Sequence, residues 1–146
     1  MDETITVRSI IEILGGPKEH VDKALNTVLE KLKQQDYLTL IKEQKFDPVE
    51  YEKKPLWTGF IEAEFHVKKV QDIISFCFDF MPSSIEVIQP TSLLVKNKDI
   101  DNLMNDLLAH MHKFDMVFKN VYAENLLFKR KIERGELKEI KKEDKK

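Results

Sequence analysis

A heptad repeat near the C-terminal end constrains this chain more than any other feature. Counting from Ile100, the seam positions are Ile100, Met104, Leu107, Met111, Phe114, Phe118, Val121, Asn125, Phe128 and Ile132, in alternating steps of four and three without a slip. All but Asn125 are apolar, which reads as the a/d pattern of one long helix from about Asp99 to Glu136, with Met104, Met111, Phe118, Asn125 and Ile132 at a. At an a position a buried amide must find a partner amide, so Asn125 fixes register and favours two strands. In a parallel pair His110 faces Asp115, Glu124 faces Lys129 and Lys131 faces Glu136, and none of these pairs is repulsive.

Length points the same way. Such a helix, at a rise of about 1.5 Å per residue, is a rod of roughly 50 Å, whereas a compact chain of 146 residues is about 40 Å across. Part of the rod therefore overhangs, bends or lies along a second subunit. Up to Val121 the apolar stripe is wide, adding Leu103, Leu108 and Val117; beyond it charges crowd the seam, and Leu126 and Leu127 lie off it. The first half is expected to pack on the chain's own domain and the second half to meet another chain. The interface residues expected on this helix are Met111, Phe114, Phe118, Val121, Asn125, Phe128 and Ile132.

Ahead of the helix the periodicity changes. Ile5, Val7, Ile11 and Ile13, with Ser9 among them, alternate over Ile5–Leu14, and Ile10 and Leu14 add enough apolar surface on the second face for a central strand. Gly15-Gly16-Pro17 ends it, Pro17 being suited to the first turn of a helix. That helix runs to about Gln35 on a stripe of Val21, Ala24, Leu25, Val28, Leu29 and Leu32. Tyr37–Glu43 reads as a second strand, and the charged QKFDPVEYEKKP after it as a long exposed hairpin loop. From Trp57 to Lys68 alternation is clearest: Trp57, Gly59, Ile61, Ala63, Phe65 and Val67 face a core, and Thr58, Phe60, Glu62, Glu64, His66 and Lys68 face water. Val70–Met81 is a short helix apolar nearly all round, stopped by Pro82. Ser84–Gln89 is a further strand, and Leu93–Val95 a candidate short edge strand before Asp99 caps the long helix.

This order predicts an α+β fold, a ferredoxin-like plait (βαββαβ) with a four-stranded antiparallel sheet and both helices on one face, followed by the long helix. The expected organisation is 1–97 for the plait, 98–136 for a helix that packs on it and extends as a coiled coil, and 137–146 for a charged flexible tail. A winged-helix reading of the first forty residues requires a separate short helix before the recognition helix, and the unbroken stripe from Val21 to Leu32 leaves no turn for one.

Composition narrows the function classes. A net charge of −2 gives no field strong enough to drive binding to nucleic acid or anionic membrane by itself. The lone Cys77 cannot form an internal disulfide, which favours a reducing, cytoplasmic location. No apolar run approaches the roughly 20 residues of a membrane span.

Four constellations invite a chemical reading. Glu62, Glu64 and His66 alternate on one strand face, and two carboxylates with an imidazole are what acid/base or metal chemistry requires. The same spacing is the ordinary solvated face of a strand, with Arg8 on a neighbouring strand to neutralise it. His110 and His112 diverge by about 200° around a helix and cannot share a metal. Gly15, Gly16 and Lys18 open a helix after a strand, a place that attracts anions, yet they match neither the dinucleotide nor the P-loop pattern. Phe76, Cys77, Phe78, Phe80 and Met81 make the second helix apolar on more sides than one sheet can cover, so Phe76, Phe78 and Phe80 form a second candidate interface, to be covered by the long helix or by a partner. Apolar neighbours raise the pKa of Cys77 and disfavour it as a nucleophile.

In element order, Ile5 to Gln89 resembles the ACT-type regulatory domains, plaits that bind small ligands and pair through sheets or helices. The resemblance implies a small-ligand-responsive regulatory domain, with the turn at Gly15–Lys18 as the ligand turn; it carries over no binding residue. Plaits also bind RNA on aromatics of their central strands, but here Phe60 stands beside Glu62 and Glu64, and the RNP signature is absent. The basic run Lys129–Arg134 is the remaining route to nucleic acid, diluted by Glu133 and Glu136. The expectation is thus a non-catalytic interaction or scaffolding protein, without cofactor or metal, that homodimerises through its C-terminal helix. A ligand-responsive regulatory domain and a nucleic-acid-associated protein are the alternatives.

Overall fold

The computed structural model describes residues 4–52 and 55–136; the charged tail expected over 137–146 lies outside them. The fold is α+β, a five-stranded antiparallel sheet with a long C-terminal helix. Backbone contacts divide the chain into two compact units, 1–100 and 101–146.

In the first unit β1 (Ile5–Gly15), α1 (Lys18–Lys33), β2 (Leu38–Lys45), β3 (Val49–Glu50), β4 (Trp57–Val67), α2 (Val70–Phe80) and β5 (Ser84–Gln89) follow one another. The sheet order is β2-β4-β1-β5, with β3 also on β4, and every pairing is antiparallel. The β1–β4 ladder is the longest, from Ile5 opposite Val67 to Gly15 opposite Trp57. Both strands are long and apolar enough to lie centrally, and their odd-numbered residues build the core: Ile5, Val7, Ile11, Ile61, Ala63, Phe65 and Val67 are buried. Ser9 shares that face and is buried too.

Helix α1 lays Val21, Leu25 and Leu32 on this face. It comes so close to β4 that a Cβ on Gly59 would stand 2.6 Å from Leu25 Cδ1 and 3.2 Å from Val21 Cγ1, which is why a glycine stands on the core face of this strand. Helix α2 buries Ile73 and Phe76, and the Phe76 ring packs on Phe65 at 4.4 Å between centroids. Gly59 and Phe65 share one face of β4, so both helices cover the same side of the sheet.

Several expectations need correction. Gln44–Pro55 is not a free loop: β2 runs on to Lys45, Pro48 is buried, and β3 pairs Val49 with Thr58 and Glu50 with Trp57. The sheet therefore has five strands rather than four, Phe46, Asp47 and Pro48 separating two stretches on one edge of β4. Lys45 is held by Asp22 Oδ1 and Asn26 Oδ1 of α1, both at 2.8 Å, a tie that a charged run does not disclose. Leu93–Val95 forms no strand. Pro17 is the N-cap residue of α1 rather than its first helical residue.

The second unit consists of helix α3 (Asn97–Glu133), whose first turn belongs to the first unit. Nothing between Val95 and Asp99 breaks a helix, so α3 starts two residues earlier than expected, and the Lys96 carbonyl accepts from the N–H groups of Asp99 and Ile100. Asp99 lies within the first turn, where the helix dipole favours a carboxylate, and does not cap it. At the far end Gly135 takes φ +71°; its N–H bonds to the Ile132 carbonyl and that of Glu136 to the Lys131 carbonyl, both at 2.9 Å. That is the Schellman closure that glycine permits.

Candidate association interface

The seam residues expected to meet a partner all lie on α3, and the helix buries none of its side chains. Met111, Phe114, Val121 and Phe128 are 55–57% exposed, and Phe118 is 70% exposed. Only Leu103, His110 and Ile132 along the helix are half-buried. At 37 residues the helix is about 55 Å long. No proline or glycine interrupts it, so the heptad phase holds from Ile100 to Ile132. Contacts within α3 are local: Lys119 Nζ meets Asp115 Oδ2 at 2.6 Å, His110 Nδ1 lies 2.9 Å from the Asp106 carbonyl, and the Phe118 and Tyr122 rings lie nearly parallel at 6.4 Å. None of these removes the apolar stripe from water.

The second candidate interface divides. Phe76 is fully buried against Phe65 and is a core residue rather than an interface residue; in a helix apolar nearly all round the sequence does not show which aromatic faces inward. Phe80 is half-buried and stacks on Phe76 at 5.0 Å. Phe78 is half-buried, while Met81 at the left-handed C-cap is 69% exposed. Cys77 is a half-buried free thiol, and burial raises its pKa. The Tyr37 hydroxyl donates to Asp79 Oδ2 at 2.8 Å, tying the segment before β2 to α2. Burial first, and then that hydrogen bond and the charge of Asp79, raise the Tyr37 pKa well above its ordinary value.

The polar face of the sheet is a charge ladder. Arg8 at its centre reaches Glu64 at 3.4 Å, Glu86 at 3.7 Å and Glu62 at 4.0 Å, and Thr58 donates to Glu12 at 2.9 Å. Glu62 and Glu64 are thus spent on Arg8. Among the described residues no three His, Cys, Asp or Glu side chains stand close enough to hold a metal ion, and no helix is long and apolar enough to cross a membrane.

The turn at Gly15, Gly16 and Lys18 is packed rather than open. A Cβ on Gly16 would stand 2.9 Å from the Pro55 carbonyl oxygen, and Lys18 Nζ sits 5.4 Å from the centre of the Trp57 ring, within cation–π reach. A concavity lies elsewhere in the first unit. A cavity of about 460 Å³ is lined by Ile5, Val70, Leu93 and Val95 on its apolar side and by Lys68, Lys69, Lys96 and Asp99 at its polar side. Sequence reading missed it because its lysines are separated by 27 residues and converge only in the fold; the apolar run Leu93–Val95, read as a strand, lines it instead.

Residues 6–144 match the model of the MJ0538 family, and the chain belongs to that family. No curated protein and no solved structure matches it.

Proposed function

We propose that this MJ0538-family chain is a non-catalytic interaction or scaffolding protein of the cytoplasm that homodimerises through α3. The observation that carries the reading is the unburied seam: a continuous a/d stripe along a 37-residue helix, with Phe118 70% exposed. Monomers rarely leave a contiguous apolar surface of this extent in water, and a heptad stripe is shaped to receive another helix. A cytoplasmic setting is supported by the single cysteine, and action by association rather than chemistry by the engagement of Glu62, Glu64 and Glu86 with Arg8 on the polar face of the sheet. The order β2-β4-β1-β5, with β3 continuing the edge begun by β2, supports the finer reading of the first unit as a ferredoxin-like plait.

Replacing Phe118 and Val121 together with glutamate tests the dimer. Light scattering is expected to give the monomer mass for this variant while circular dichroism keeps the native helix and sheet signals. An unchanged mass rejects the reading.

The lysine-lined cavity favours a second reading, a regulatory domain for a small anionic ligand with an apolar body. It shifts the expected site away from the Gly15–Lys18 turn. Thermal stabilisation by carboxylates or nucleotides that disappears in Lys69→Ala supports it, and no stabilisation by either class counts against it.

A further inference from the structure

We infer that the two copies of α3 pair parallel and in register, an inference that rests on the homodimer reading and concerns its geometry. The continuous helix lets every heptad from Ile100 to Ile132 be compared in both orientations.

In a parallel pair each g residue faces the e residue five positions on in the other copy. Within α3 this gives Leu103 with the partner's Leu108, His110 with the partner's Asp115, Val117 with the partner's Tyr122, and Glu124 with the partner's Lys129. Apolar meets apolar in two of the four pairs, Glu124 meets a lysine in a third, and in the fourth His110 faces a carboxylate without like-charge repulsion. The off-seam exposure of Leu108, Val117 and Tyr122, 50–59%, is thereby accounted for: these residues flank the seam and cover it. Asn125 then meets the partner's Asn125, and each amide has a donor and an acceptor to offer the other.

The antiparallel arrangement that keeps all ten seam positions paired sets a against d, with Asn125 opposite the partner's Leu107. The buried amide then has no amide partner, which costs roughly 1–3 kcal/mol. The flanks also pair less well. Leu103 falls beside the partner's Lys131, and Asp115 beside the partner's Asp115 on the dyad, although Lys119 of the same helix partly neutralises it. Parallel pairing thus satisfies the one polar seam residue and leaves no mismatched flank. It also brings the two N-terminal ends of α3 together.

Distance measurement between spin labels decides this. Asn102 is exposed at an f position, opposite the seam, so Asn102→Cys is labelled in full-length chain carrying Cys77→Ser, and the mass of the labelled protein is measured in parallel. Helices about 9 Å apart in parallel register place the two labels about 20 Å from each other. Antiparallel pairing sets residue 102 against residue 130, an axial offset of about 42 Å at 1.5 Å per residue. A narrow distribution near the shorter distance with a dimeric mass is the expected result. The longer distance with a dimeric mass overturns the parallel inference and leaves the homodimer standing. A monomeric mass overturns both, and a dimeric mass with neither distance moves the contact off α3 and likewise rejects them.

Discussion

The two compact units treat their apolar side chains in opposite ways. Within residues 1–100, thirteen apolar residues from Ile5 to Phe76 are buried against one another; along α3, fourteen large apolar residues from Ile100 to Phe128 stand at least 38% exposed. Their sequence patterns are equally regular. Period-two alternation on β1 and β4 is satisfied inside the chain because the two strands share one apolar face and helices α1 and α2 cover it. The heptad on α3 is a stripe that no other part of the same helix covers, and in the proposed homodimer a second copy supplies its complement. A pattern found satisfied explains a fold, and a pattern found unsatisfied points to association.

Matched truncations separate the two regions most sharply. Phe76→Ala empties a site packed on Phe65 and is expected to lower unfolding free energy by about 3–5 kcal/mol, equally at every protein concentration. Denaturant titration that finds less than about 1 kcal/mol breaks the assignment of Phe76 to the core. The same change at Phe118 is expected to cost roughly 1.5–3 kcal/mol per chain if the ring is covered by a second copy, with a melting temperature that falls further on dilution. An isolated surface helix predicts a change within about 0.5 kcal/mol at all concentrations.

Tyr37→Phe sharpens the account of the first unit at a smaller scale. It removes the hydrogen bond to Asp79 Oδ2, a loss of about 1 kcal/mol near neutral pH. Because the folded phenol titrates above its unfolded value, its stabilising contribution is fully present below about pH 10 and is lost as pH rises toward the higher folded value. Alkaline denaturation should therefore be steeper in the wild type than in the variant. Equal alkaline limbs contradict the burial of that hydroxyl. The smallest effect belongs to Arg8→Met, which leaves Glu62, Glu64 and Glu86 facing one another on a wet surface. It should cost below about 1 kcal/mol and be largely erased by added salt; a larger, salt-insensitive loss means that this face is covered.

What was legible in the sequence follows the same division. β1, α1 and β4 are readable to within a residue or two because each carries its own periodicity and a Gly or Pro near one end, and α2 and β5 because Pro82 and Pro90 bound them. β3 is not. It is only two residues long and pairs with the first residues of β4, Trp57 and Thr58, and in Gln44–Pro55 the charges of Lys45, Asp47 and Glu50 outweigh the buried Pro48 in any local reading. Leu93–Val95 has the composition of a strand, but it lines a cavity instead. Phe76 could not be told from Phe78 because α2 is apolar on every side and only its placement over Phe65 selects the inner face. The seam of α3 was legible residue by residue, from Ile100 to Ile132, because a heptad repeat needs no tertiary context to be read. The start of the helix at Asn97 was missed because Asp99 resembles a cap while nothing upstream forbids another half turn.

Sedimentation equilibrium of the full-length chain between about 1 and 50 µM addresses the central claim most directly. A chain of 17.2 kDa that pairs through α3 gives twice that mass at the upper end of the range and moves toward the single mass on dilution. A single-chain mass throughout means that the exposed seam has no second copy to meet and contradicts the account.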